Sequence, residues 1–201
     1  MSGLLERLTR IFDEGHGVAL PGLRTDAAFA PPGEVRPAAV LIAVTDRREP
    51  GVLLTHRPAD MRQHAGQVAF PGGKLDPGED AVAAALREAH EELGISPSIV
   101  NVIGATDRFV TGTGYDITPV LGLMPADVPV VPNPREVSDW FEAPLRFVFD
   151  PANRVRKQAV YRGRLREYTE IEWQGHRIWG VTAAIIENLS QRLAWQGLVD
   201  G

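Results

Sequence analysis

Residues Gly73 to Ile95 read GKLDPGEDAVAAALREAHEELGI, and the fold and the chemistry of the chain both turn on this stretch. Wound as a helix at about 100° per residue, it places Val82, Leu86, Ala89 and Leu93 on one stripe that can face a core. Glu88, Glu91 and Glu92 then share an arc of about 100° on the other side. Like charges at these spacings repel by a few tenths of a kcal/mol per exposed pair. Crowding also pushes carboxyl groups towards protonation. A bound divalent cation relieves both effects, and an all-oxygen ligand set favours Mg²⁺ or Mn²⁺ over zinc. A solvated acidic helix face is the plainer alternative. Against it stand Arg87, placed to hold Glu88 and Glu91, and Gly94, where a helix end favours a left-handed residue. The bare backbone of Pro71-Gly72-Gly73 upstream can also approach a metal or a phosphate closely.

The segment resembles the Nudix box, G-x5-E-x7-R-E-U-x-E-E-x-G-U with U a bulky aliphatic. Gly73, Glu79, Arg87, Glu88, Glu91, Glu92, Gly94 and Ile95 fit it, and Ala89 is smaller than the usual aliphatic. Upstream, Leu53-Leu54-Thr55-His56-Arg57, then Arg62, Gly66 and Phe70-Pro71-Gly72-Gly73, resembles the signature of the coenzyme A pyrophosphatase branch of that family. Pro58 departs from it, standing where Ser or Ala is usual. The resemblance covers residues 36 to 190 and includes Asn133-Pro134-Arg135-Glu136-Val137 and Trp179-Gly180-Val181-Thr182. It implies a single-domain α/β fold, an α/β/α sandwich about a mixed β-sheet. Residues 14 to 37 are rich in Gly, Ala and Pro, so the expected division is an N-terminal helix and extended arm over 1–35 and a catalytic domain over 36–195.

The implied activity is metal-dependent hydrolysis of the pyrophosphate bond of coenzyme A or an acyl derivative. Glu88, Glu91 and Glu92 are the expected ligands of Mg²⁺ or Mn²⁺, with a carbonyl of Gly72 or Gly73 available to the same shell. Arg87 orients the acids, Glu88 or Glu136 takes the proton, and Glu79 supports the loop or the arginine. Arg57, Arg62, Gly66, Phe70, Gly72 and Gly73 form the expected substrate site. Arginines suit it because a planar guanidinium grips phosphate bidentately where lysine cannot. The alternatives are a Nudix enzyme acting on ADP-ribose, NADH or another nucleoside diphosphate derivative, and a non-catalytic ligand sensor. The intact carboxylates and the short chain argue against the sensor. His56, His64 and His90 lack metal-ligand spacing.

The remaining sequence fits one compact enzyme. At 201 residues the chain can bury one sizeable core. Its net charge of −5 points away from nucleic acid and membrane surfaces as partners and leaves a small-molecule substrate. Cysteine is absent, which removes disulfide and thiol chemistry. Leu4, Leu5, Leu8, Ile11 and Phe12 are spaced for an amphipathic helix, interrupted by charges unlike a signal peptide, so the cytoplasm is the expected compartment. That helix can pack on its own domain or on a second subunit, leaving a homodimer open. Strands are expected at Ala38–Val44, Val52–Thr55, Val100–Ala105, Ile117–Met124 and Val137–Phe141, followed by a hairpin around Gln174-Gly175. A last helix is expected from Ala183 to about Trp195, capped by Thr182.

Overall fold

A computed structural model describes residues 3–33, 35–59 and 66–193. The spine is a parallel pair, β1 (Arg36–Asp46) beside β7 (Tyr115–Pro125), in register from Arg36 opposite Tyr115 to Asp46 opposite Pro125. Parallel strands of this kind are covered on both faces and read as continuous apolar runs. Val40-Leu-Ile-Ala-Val44 in β1 is such a run.

Around this pair the sheet grows antiparallel. On one side of β1 lies β2 (Gly51–His56), which in turn pairs with β3 (Val68–Ala69) and β8 (Asp139–Pro144). On the far side of β7 lies β5 (Asn101–Ala105), and β6 (Phe109–Val110) also pairs with β7. The short β4 (Gly72–Lys74) runs against the start of β1. The result is a mixed eight-stranded sheet, as the sequence led us to expect. A second, three-stranded sheet follows: β9 (Val155–Tyr161), β10 (Arg164–Trp173) and β11 (His176–Trp179).

Helices cover both faces. Alternate residues of β1 divide between them: Ala39, Leu41 and Ala43 meet α2 (Ala81–Leu93), whereas Ile42 and Val44 meet the opposite layer. That layer holds α1 (Gly3–His16), α3 (Leu145–Phe149), α4 (Val181–Arg192) and the inner face of the small sheet. None of the described helices is long and apolar enough to cross a membrane.

Several boundaries differ from the sequence reading. The fifth expected strand begins at Asp139, not Val137, because Pro134 to Glu136 form a turn. The last helix starts after Gly180, whose φ of 63° turns the chain into it; Thr182 lies inside the helix and its hydroxyl donates to Val68 O at 2.9 Å. The expected end of that helix near Trp195 lies outside the described residues. Strands β3, β4, β6 and β9 had no counterpart in the sequence reading.

Candidate active site

Helix α2 is held at both ends by local chemistry. Asp80 caps it, its side chain accepting from Ala83 N at 2.8 Å. Gly94 ends it at φ 69°, a left-handed position that costs glycine nothing. The helix lies close on β1 and β7 because the buried residues at the contact are small: Ala84, Ala85 and Ala89, with Leu93. The bulkier Val82 and Leu86, expected to lead the apolar stripe, sit half-buried at its margin.

On the flank of α2 facing β4, the acids divide into two groups. Glu88, Glu92 and Glu136 each offer a carboxylate oxygen, and these oxygens lie within 4.8 Å of one another. Glu91 is outside this trio; half-exposed, it accepts from Arg87 Nη1 at 3.2 Å. Glu136 arrives from the loop before β8, which is pinned by its backbone. Asn133 N donates to Glu92 O at 2.8 Å, Val131 N to Leu93 O at 2.9 Å, and Ser138 N to His56 O at 2.9 Å. Asn133 and Ser138 are positioning residues that the sequence reading did not single out for this role. The Asn-Pro pair was the one local signal, and Asn133 Oδ1 does accept from Arg135 N at 3.2 Å to close a turn.

Arg87 organises the helix side of the cluster. Its Nε and Nη2 fork onto Glu79 at 3.0 Å each, Nη1 reaches Glu88 at 2.9 Å, and Nη2 also donates to Lys74 O at 3.0 Å. Glu79 is thereby committed to the arginine and to Asp76 N, and its carboxyl is held below the ordinary value chiefly by Arg87. Glu88 and Glu92 move the other way. Burial raises both, and Glu92, only 6% exposed, is pushed up to about 8 against the opposing pull of the Gly72 amide and the Arg57 charge. Glu88 and Glu92, both raised by burial, lie with the exposed Glu136 in a cluster short of positive charge, and its hard oxygen donors fit Mg²⁺ or Mn²⁺.

The glycine loop meets this cluster backbone-first. Gly72 N donates to Glu92 Oε2 at 3.2 Å. At Gly73 a Cβ would lie 2.2 Å from Glu88 Oε1, so a side chain there would displace that carboxylate. Arg57 follows β2 and its buried Nε has no hydrogen-bond partner among the described residues. Gly66, at φ 67°, closes a turn back onto Arg57 O at 3.1 Å. Phe70, expected in the substrate site, is 4% exposed and packs in the apolar cluster that also holds residues of α1, α3 and α4. Arg62 and His64 lie outside the described residues.

A model of the NUDIX domain matches residues 35–168. The chain is 42% identical over 161 residues to a protein of Yersinia pestis (strain Pestoides F) named an uncharacterized Nudix hydrolase NudL, covering 79% of this chain and 80% of that protein. A protein of the same name from Yersinia pseudotuberculosis serotype O:1b (strain IP 31758) is equally similar. Among solved structures, a Nudix hydrolase from M. smegmatis, RenU, is similar at a TM-score of 0.50 and 26% identity, covering 63% of this chain and 81% of that one.

Proposed function

The chain belongs to the Nudix family of hydrolases, and from that premise we propose that it cleaves the pyrophosphate bond of coenzyme A or an acyl derivative. The products are 3′,5′-ADP and the corresponding 4′-phosphopantetheine. The observation that carries the substrate choice is Arg57. Its charge reaches the buried Glu92, its Nε lacks a partner among the described residues, and it stands in register with Phe70-Pro71-Gly72-Gly73 as the branch signature requires. A substrate with a pyrophosphate and a separate 3′-phosphate calls for several such cations, and Arg57 and Arg62 are assigned to it.

Glu88, Glu91 and Glu92 are assigned to Mg²⁺ or Mn²⁺, with Glu136 facing the first and last of them. Bound there, the cation supplies neutralisation of the diphosphate and a lowered pKa for water. The rest is the work of side chains. Arg87 fixes Glu88 by a 2.9 Å bond and is itself fixed by Glu79. Arg57 holds phosphate oxygens that would otherwise repel the acids. Water adds to phosphorus, the bond from phosphorus to the bridging oxygen breaks, and Glu88 or Glu136 takes the proton that water loses. The departing phosphate carries the electron pair of the broken bond.

The test is product analysis of coenzyme A incubated with the protein and Mg²⁺ or Mn²⁺, beside 3′-dephospho-coenzyme A, ADP-ribose and NADH. Metal-dependent release of 3′,5′-ADP, faster than cleavage of the other three, is the expected result. Faster cleavage of ADP-ribose or NADH would keep the hydrolase and discard coenzyme A as its substrate.

A further inference from the structure

Net charge over the whole chain conceals a strong local imbalance. Residues 154–166, RVRKQAVYRGRLR, hold six cations and no acid in a chain of net charge −5. They form β9, the turn, and the start of β10. Three of the cations are neutralised within the fold: Arg156 by Glu187, Lys157 by Glu170 and Arg166 by Asp26. Arg162 and Arg164, at the tip, have no carboxylate partner among the described residues. They donate instead to the carbonyls of Phe29 and Ala28 at 3.2 and 2.9 Å, leaving their charge uncompensated.

The same tip displays an apolar pair. Val160 and Leu165 are cross-strand partners on one face of the hairpin, 74% and 63% exposed. Between them the two-residue turn Arg162-Gly163 is left-handed at both positions, with φ of 50° and 75°. Such a turn favours Asn or Gly first, so a cation sits at the tip against the backbone's own preference.

We propose that the tip of the β9–β10 hairpin is a docking element for an anionic lipid surface, with Val160 and Leu165 entering the interface and Arg162 and Arg164 meeting lipid phosphates. One ligand then satisfies both features, an apolar layer directly beneath a layer of negative charge. A nucleic acid offers the charge but no sink for two aliphatic side chains, and the rings of Phe29 and Tyr161 are already covered by Arg164 and Arg162. A second copy pairing edge to edge along β9 would use the backbone of that strand and leave the charges of Arg162 and Arg164 uncompensated.

The experiment is co-sedimentation of the full chain with vesicles of phosphatidylcholine alone or enriched in phosphatidylglycerol, at low and high salt. Binding to the anionic vesicles that weakens with salt is expected. The doubly substituted Val160→Ser, Leu165→Ser protein is expected to bind roughly tenfold less or weaker still. Arg162→Gln with Arg164→Gln is expected to erase the preference for anionic over neutral vesicles. Both variants keep the hydrolase activity of the parent, which reports that they are folded. Three results would overturn the proposal: no vesicle binding, binding that ignores both pairs of substitutions, or binding to a single-stranded oligonucleotide in place of vesicles. Concentration-dependent dimerisation abolished by the serine pair would equally overturn it, assigning the tip to a second copy.

Discussion

Glu92 is a carboxyl group placed where a carboxylate is costly. Below its ordinary value of 4.5 it is protonated in both the folded and unfolded chains. Between that value and about 8 the unfolded chain ionises and the folded one, without a cation, does not. The stability this residue contributes is therefore full at low pH and is lost as pH rises through about 8, at ~1.4 kcal/mol for each pH unit crossed between the two values. In chelator, melts of the parent and Glu92→Gln should coincide near pH 4.5 and separate in favour of the glutamine protein as pH rises. Saturating Mg²⁺ should then raise the parent alone, while activity of the variant falls roughly 100-fold or more. A parent that gains nothing from the cation would remove Glu92 from the ligand set. Gly72 and Gly73 give a second, paired prediction. An alanine Cβ at Gly73 meets the end of the Glu88 side chain, which can swing away, so Gly73→Ala should lose activity with little change in melting. At Gly72 it meets backbone, 2.4 Å from Ala39 O and 2.7 Å from Val40 Cα, so Gly72→Ala should lose about 1–3 kcal/mol of stability as well. Melts and rates of the two variants check this contrast.

At the scale of an element, α2 is a support for Arg87, and the arginine works through its shape. Arg87→Lys keeps the charge but cannot fork onto Glu79 while reaching Glu88 and Lys74 O. Its expected signature is a fall in kcat of roughly 10–100-fold with KM and far-ultraviolet circular dichroism near those of the parent. A parent-like kcat would mean that Glu88 needs no such holder. Much of this helix was legible in the sequence, because Gly94 and the spacing of the acids are local signals. Its buried face was less so: hydrophobicity ranks Val82 and Leu86 above alanine, whereas a helix lying close on strands buries alanines. Glu136 was visible as a residue but not as a position. What carries it to Glu88 and Glu92 is a set of backbone bonds to α2 and His56 that no side-chain pattern records. Strands β3 and β4 are two and three residues long and exist through their partners rather than by propensity. Strand β9, exposed along almost its whole length, exists through its pairing with β10 rather than through a buried apolar pattern.

Across the whole molecule the question is whether the N-terminal segment is an arm or part of the core. The sequence suggested a boundary near residue 35, since Gly, Ala and Pro dominate the stretch before β1. The packing argues for continuity. Leu4, Leu8, Ile11 and Phe12 belong to the same apolar cluster as Leu189 and Leu193, and Phe12 lies so close to Gly104 that a Cβ there would come within 2.6 Å of its ring. Polar contacts tie the same layers. His16 Nε2 meets Thr106 Oγ1 at 2.8 Å, Arg192 donates to Gly15 O at 3.0 Å, and Asp26 pairs with Arg166. An appendage would lose its own contacts on mutation and leave the remainder unmoved. A shared core behaves otherwise: Leu8→Ala, at a side chain with no exposed surface, should cost about 2–5 kcal/mol and shift a single unfolding transition as a whole. Denaturant unfolding followed by both tryptophan fluorescence and far-ultraviolet circular dichroism distinguishes these cases, because all four tryptophans lie beyond residue 139. If fluorescence keeps the parental midpoint while the circular dichroism signal splits, the N-terminal helix is a separate unit. Coincident, equally shifted curves would make it part of the structural layer that supports the catalytic sheet from the face opposite α2.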